Sequence, residues 1–372
     1  MFEADHKVKK QKSGLKTIPV NEAVGMVLAH DITEIRPGEF KGRAFKKGHI
    51  IKKKDINYLQ KLGKENIFIL EIGKYEMHED DAACAVAEAL AGRGIRLDGK
   101  PREGKINLVA AKDGLLKVDR ENLLKFNMIG EVMCAAIHNN TVVKKGQVVA
   151  GTRAIPLIVK KSIVENAVRI AKNAKGVLSV KDMRRPRAGI VITGNEVYHG
   201  RIKDEFAPVI KKKIKDIKGE VTDIFFAPDD TGYIENRIRK LIAAGADLII
   251  TTGGMSVDPD DVTRFAIRNL GVEEPVYGSP VLPGAMFLVA YVRAKAQKSR
   301  RARGKSPETS ELIPVIGLPA CGMYSSITVF DIILPRILAG EKIGRKEIAE
   351  LGHGGLCLKC EECRYPVCPF GK

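Results

Sequence analysis

The run Leu248-Ile249-Ile250-Thr251-Thr252 is short, apolar and broken by Gly253-Gly254, and it constrains the fold more than any other stretch of the chain. An apolar run of this length bounded by glycines predicts a buried strand. Beyond Met255-Ser256, the Asp258-Pro259 step predicts a helix start, with Asp258 as N-cap and Pro259 in the first helical position. A strand, a turn of small residues and a helix N-terminus together form an anion site. Glycine lets the backbone approach closely, and the free N–H groups of the helix point at the ligand. Thr251, Thr252 and Ser256 add hydroxyls, while Asp258, Asp260 and Asp261 add carboxylates that would repel a bare phosphate. These acids read either as residues that cap the helix and favour its dipole, or as holders of Mg²⁺ bridging carboxylate to phosphate.

The turn lies inside an alternation of elements that begins at Ala188. Strands are predicted at Gly189–Thr193, Val221–Phe226, Leu248–Thr252, Met286–Val292 and Ile313–Leu318. Phe206, Val209, Ile210, Ile214 and Ile217 share one helical face, closed by Gly219, and Ile234, Ile238, Leu241 and Ile242 share another, closed by Gly245. A third helix is predicted over Thr263–Leu270. Strands alternating with helices predict a mostly parallel α/β/α sheet in three layers, whose ligands bind beyond the carboxyl ends of the strands. Thr193-Gly194-Asn195-Glu196, Pro228-Asp229-Asp230, Thr251 to Ser256 and Gly317-Leu318-Pro319 all fall at such ends. Arg293 to Glu311, with seven Lys or Arg, reads as a polar loop between two strands.

Upstream the pattern differs. Residues 17–80 read as a β-rich unit with short helices, and 81–186 as a second α+β unit with Met183 to Arg187 as a linker. The α/β domain spans 187–345, and 346–372 form a cysteine-rich tail. Glu79 to Leu90 predicts a helix, Val142 to Ile158 predicts strands around a Lys144-Lys145-Gly146-Gln147 turn, and Ser162 with Glu165 predicts a capping box for a helix ending near Asn173. The chain of 372 residues can bury two or three cores. It shows no apolar run of membrane-spanning length and no signal peptide, and Met1 to Lys16 reads as a charged tail. Seven cysteines without a secretory signal place it in a reducing cytoplasm. The net charge of +18 is spread over Lys7–Lys12, Lys52–Lys54, Lys211–Lys213 and Arg300–Lys305 without interleaved aromatics. That distribution argues against nucleic acid and for a solvated surface that attracts anions.

With these turns in place, Ala188 to about Gly340 resembles the molybdopterin-binding domain of the Mog/MoaB and MoeA/gephyrin proteins. Thr251-Thr252-Gly253-Gly254-Met255-Ser256 resembles the family's pterin-phosphate loop, Pro228-Asp229-Asp230 its acidic turn, and Pro259-Asp260-Asp261-Val262-Thr263 its Pro-x-Asp-Val-Thr continuation. Asn21 to Thr33 resembles the start of MoeA proteins. The resemblance implies a three-layer α/β fold and oligomers, frequently trimers. It implies molybdopterin held by Thr193, Gly194, Glu196, Thr251, Thr252, Gly253, Gly254, Ser256, Gly317 and Pro319. It also implies that Asp229, Asp230 and Asp261 serve a Mg²⁺-ATP or molybdate step, so that the chain acts in molybdenum cofactor biosynthesis or maturation, by adenylylation or molybdate insertion. Departures weigh against catalysis. Asn195 stands where the MoeA type has Asp, and Val281 to Met286 replace a turn that carries a Lys. The alternative is a non-catalytic carrier, or an interaction protein that docks a molybdoenzyme through its tail.

That tail is the second strong feature. Cys357, Cys360, Cys363 and Cys368, spaced x2, x2 and x4 before Pro369, suit four thiolates around one soft metal, with Zn²⁺ and [4Fe-4S] both open. His353 is a further donor. Cys84, Cys134 and Cys321 read as buried apolar residues, Cys321 falling in a site loop, and His30 and His49 as structural.

Overall fold

The computed structural model describes residues 16–36, 39–69, 72–293 and 312–372. The polar loop between Arg293 and Leu312, the lysine runs at 7–12 and 300–305 and the first fifteen residues lie outside the described residues. Chain contacts divide the molecule into two units, residues 1–139 with 143–180, and residues 140–142 with 181–372.

The second unit holds one six-stranded sheet. In chain order its elements are β1 (Arg187–Thr193), α1 (Asn195–Tyr198), α2 (Phe206–Asp216), β2 (Glu220–Ala227), α3 (Thr231–Ala243), β3 (Leu248–Thr252) and α4 (Thr263–Asn269). They continue as β4 (Glu273–Tyr277), β5 (Leu288–Arg293), β6 (Leu312–Leu318), α5 (Cys321–Tyr324) and α6 (Val329–Leu338). The strand order is β2-β1-β3-β6-β5-β4. The first four are parallel, so their carboxyl ends share one edge, while β5 runs antiparallel to both its neighbours, β6 and β4.

Alternate residues of the central strands feed different cores. Ile190, Ile192, Leu248, Ile250, Ile316 and Leu318 belong to one buried cluster. Val191, Ile249, Ile313 and Val315 belong to another. A strand buried on both faces reads as a continuous apolar run, which is why β3 stands out in the sequence. Phe206, Ile210 and Ile214 of α2 and most of α6 join the first cluster. Ile234, Ile238 and Leu241 of α3 and Ala266 and Ile267 of α4 join the second. Each fully buried Ile or Leu contributes about 1.5–3 kcal/mol.

Two local expectations need correction. Asp258 does not cap a helix: α4 begins at Thr263, its N-cap is Val262, and no side chain caps it. Instead the Asp261 carboxylate accepts the Asp258 N–H at 2.8 Å and closes a separate turn. Pro259 favours that turn because it disfavours helical backbone at Asp258. Ser162 does not cap either, since the helix already starts at Lys161 and has no side-chain cap. Met183 to Pro186 lack regular structure but are pinned, with Arg184 Nη1 2.5 Å from Asp247 Oδ1 and its N–H donating to Leu338 O. Strand β4 was not anticipated. It contains Pro275, which an edge strand tolerates because no neighbour needs its N–H.

The first unit is β-rich with helices. Strands Lys16–Pro19 and Asn66–Ile69 pair antiparallel, as do Ile32–Arg36 and Phe40–Phe45, over a core that includes Val20, Leu28, Ile51 and Leu59. His49 Nε2 lies 2.7 Å from Asp55 Oδ2. A four-stranded sheet in the order Ile95–Arg102, Lys105–Ala110, Val148–Ala154, Val132–Ala136 packs with helices Glu79–Leu90 and Lys161–Asn173. Burial pushes Glu79 up to about 7 and the Cys134 thiol up to about 12. Among the described residues no helix is long and apolar enough to cross a membrane.

Candidate functional site

The parallel strands β1, β2, β3 and β6 deliver four turns to one edge, and hydrogen bonds show three of them meeting. Thr193 ends β1. Its hydroxyl donates to Thr252 O at 2.8 Å and lies 2.9 Å from the Thr263 hydroxyl, which joins the β1, β3 and α4 segments. The Asn195 N–H donates to Asp229 Oδ2 at 2.9 Å, and the Asp229 N–H donates back to Asn195 Oδ1 at 3.3 Å. The β1 and β2 turns are therefore held by a reciprocal pair.

Gly253 and Gly254 have φ of 81° and 55°. A Cβ at Gly253 would sit 2.2 Å from Thr193 O, and one at Gly254 would sit 2.4 Å from the Thr263 hydroxyl. Only glycine satisfies both the left-handed backbone and the close approach. Gly194 has φ 137°, and a Cβ there would meet the Glu196 carboxylate. Gly317 lies within β6 and makes room for Met255, since a Cβ would fall 2.5 Å from the Met255 methyl. Pro319 is half-buried just beyond that strand, and Glu196 is exposed.

The hydroxyls divide. Thr251 is fully buried and donates to Ile316 O at 3.3 Å. Thr252 is fully buried too, but its hydroxyl has no partner. An unpaired buried hydroxyl costs about 1–3 kcal/mol, a cost that a bound acceptor relieves. Ser256 is half-buried in the turn.

The acids also divide. Asp230 caps α3, its Oδ1 accepting the Tyr233 N–H at 2.6 Å. Asp261 is engaged by its own turn. Burial, then the charges of Glu196, Asp260 and Asp261, push Asp229 above the usual carboxylate range, against the pull of the Asn195 N–H. These four acids thus share one negative field. Among the described residues, however, no three His, Cys, Asp or Glu side chains stand close enough to hold a metal ion. A ready-made Mg²⁺ site does not fit this arrangement.

Sequence patterns did not reveal the cations and aromatics beside the turn. Arg264 follows Thr263, and its guanidinium lies 4.8 Å from the Phe265 ring centroid and 5.5 Å from that of Tyr277. Its Nε is buried without a partner. Arg264, Arg268, Phe265 and Tyr277 line a cavity of ≈ 280 Å³. The Tyr277 hydroxyl donates to Met255 O at 2.7 Å, tying this cavity to the glycine turn. On the β2 side, Arg237 stacks over Tyr233 at 4.6 Å, and the Tyr198 and Tyr233 rings meet edge-on at 5.7 Å. The available signal was spacing: Arg264 directly after the site threonine and Tyr233 three residues after Asp230.

Cys321 opens α5, and burial raises its thiol, which does not suit a nucleophile. The tail cysteines lie elsewhere. Cys357 and Cys368 are half-buried, Cys360 and Cys363 exposed, and none of the seven cysteines forms a disulfide.

Comparisons with known proteins match two parts of the chain. Residues 17–71 match a family described only as a domain of unknown function, and residues 189–339 match the family described as a "Probable molybdopterin binding domain". A CinA-like protein of Mycobacterium sp. (strain MCS) is 42% identical over 89 residues, covering 23% of this chain and 21% of that protein. One from Mycobacterium tuberculosis is 40% identical over 93 residues, covering 24% and 22%. The chain spans about a fifth of the length of these curated relatives. Among solved structures, the tungsten cofactor synthesizing protein MoaB from Pyrococcus furiosus has a TM-score of 0.32 at 17% identity, covering 42% of this chain and 97% of that one. The protein CinA from Thermoplasma acidophilum, described as of unknown function, has a TM-score of 0.33 at 17% identity, covering 41% and 98%. The part of the chain that carries the glycine turn and its acids, residues 189–339, is thus similar to the probable molybdopterin binding domain.

Proposed function

We propose that this chain is a MoeA-like molybdopterin-binding protein with a three-layer α/β/α domain, acting in the cytoplasm as an oligomer in molybdenum cofactor biosynthesis or maturation. The observation that carries the reading is the Thr252 hydroxyl. It is fully buried and unpaired, and it sits one residue before the two glycines. In this reading Thr252, Gly253, Gly254 and Ser256 receive the pterin phosphate at the strand ends, with Thr193, Gly194, Glu196, Gly317 and Pro319 forming the surrounding edge. The ligand supplies a phosphate acceptor for the orphaned donor and a flat ring for the aromatic and guanidinium groups nearby. Thr251 supports the turn from within the sheet.

The engagement of the acids favours binding over turnover. Asp230 caps a helix, Asp261 holds its own turn, and Asn195 leaves the edge one carboxylate short. An adenylylation or molybdate-insertion step would need a metal held there as well. The chain then carries molybdopterin to a molybdoenzyme or another cofactor-biosynthesis protein.

The test is an anaerobic titration of the purified chain with metal-free molybdopterin, followed by pterin fluorescence. Saturable binding is expected, weakened about tenfold or more by Ser256→Asp, which sets a carboxylate against the phosphate. An absence of saturation overturns the reading. Turnover of Mg-ATP to adenylylated molybdopterin, abolished in Asp261→Asn, would replace the carrier by a catalyst.

A further inference from the structure

From His353 to Lys372 the chain forms no helix and pairs with a neighbouring segment only through one isolated bridge, Leu356 to Leu282, yet its ends are fixed. The Leu282 N–H donates to Gly355 O and the Cys357 N–H donates to Leu282 O, both at 2.8 Å. The Gly371 N–H donates to Gly354 O at 2.9 Å, so the segment between them is a closed loop. Phe370 is buried at 4% exposure, and Cys357, Tyr365 and Cys368 pack on the core that α2 and α6 share. Lys359, with φ 50°, takes the left-handed conformation and turns the chain sharply between Cys357 and Cys360. All four tail cysteines, with Lys359 and Arg364, line one cavity of ≈ 390 Å³.

Core packing uses cysteines singly and does not collect four around a cavity that also holds two cations. We propose that Cys357, Cys360, Cys363 and Cys368 together bind one thiophilic metal centre, a zinc ion or an iron–sulfur cluster, that locks this loop. Cys357 and Cys368 form the anchored half of the site. Cys360 and Cys363 are exposed and belong to no helix or strand. Metal binding and ordering of the loop are then one event. Each thiol releases its proton to solvent on ligation, and the net negative charge of a four-thiolate centre faces Lys359 and Arg364. Pterin binding is not required for any of this.

The full chain is purified anaerobically, reconstituted separately with zinc and with ferrous iron plus sulfide, and assayed for metal by plasma mass spectrometry. The expected result is about one zinc per chain, or about four irons with matching sulfide and visible absorption. Either outcome supports the centre, and the metal names it. Cys360→Ser/Cys363→Ser lowers bound metal about tenfold or more, while Cys84→Ser leaves it unchanged. Loaded protein resists proteolysis between Lys359 and Arg364, and stripped protein is cut there. Less than about a tenth of an equivalent from either reconstitution, or full metal in the double variant, overturns the proposal. Because wild-type loading is read directly, a poorly folded variant cannot rescue it. A failed pterin titration leaves this result untouched.

Discussion

The glycine turn after β3 and the cysteine loop after α6 are both short, irregular and rich in one residue type, but their shapes are set in opposite ways. The turn is clamped by Thr193, Thr263 and the sheet register on either side, so its conformation precedes any ligand. The loop is tied at its ends and packed on the core at Tyr365 and Cys368, while Cys360 and Cys363 are exposed on it. A site built on strand ends inherits precision from the fold, whereas a site in a closed loop takes its precision from what it binds.

Substituting the turn should have the largest effect. Gly253→Ala places a methyl against Thr193 O in a left-handed backbone and should destabilise the second unit by about 2–4 kcal/mol in urea denaturation. In metal-free protein, Cys360→Ser/Cys363→Ser should leave that stability unchanged within about 0.5 kcal/mol. Equal losses would show that the loop, like the turn, belongs to the cooperative core. Thr252→Val sharpens the contrast within the turn. Removing an unpaired hydroxyl at nearly constant volume should raise stability by about 1 kcal/mol while weakening pterin binding. If both fall together, the hydroxyl has a partner in the free protein.

The smallest effect concerns Asp229. Its pKa is raised in the folded state, so the charged form is penalised by folding, and stability falls as pH rises from the unfolded value through the folded one. Asp229→Asn should therefore gain less than about 1 kcal/mol at neutral pH, and the gain should vanish in acid below the unfolded pKa. A gain that persists in acid would mean that packing, rather than charge, is responsible.

The central sheet was legible because strands buried on both faces are written as apolar runs. Leu248–Thr252 has the same bounds in sequence and structure, and α2 and α3 follow their apolar faces. Polar positions with two uses were not legible. Asp258-Pro259 has the composition of a helix start, but Asp261 competes for the Asp258 N–H and postpones the helix to Thr263. Asp229 and Asp230 are adjacent and identical in type, and only the structure separates the clasp from the cap. Arg264 gave no periodic signal, because its meaning comes from Tyr277 on an edge strand that Pro275 concealed.

The pair between Asn195 and Asp229 has a kinetic consequence. An amide can offer an acceptor to one backbone N–H while standing beside a carboxylate, which a second carboxylate at 195 could do only against repulsion. With Asn195 present, the β1 and β2 turns are already joined before any guest arrives. Association then pays little to freeze these loops, so preorganisation should appear as a fast on-rate with no slow rearrangement phase after it.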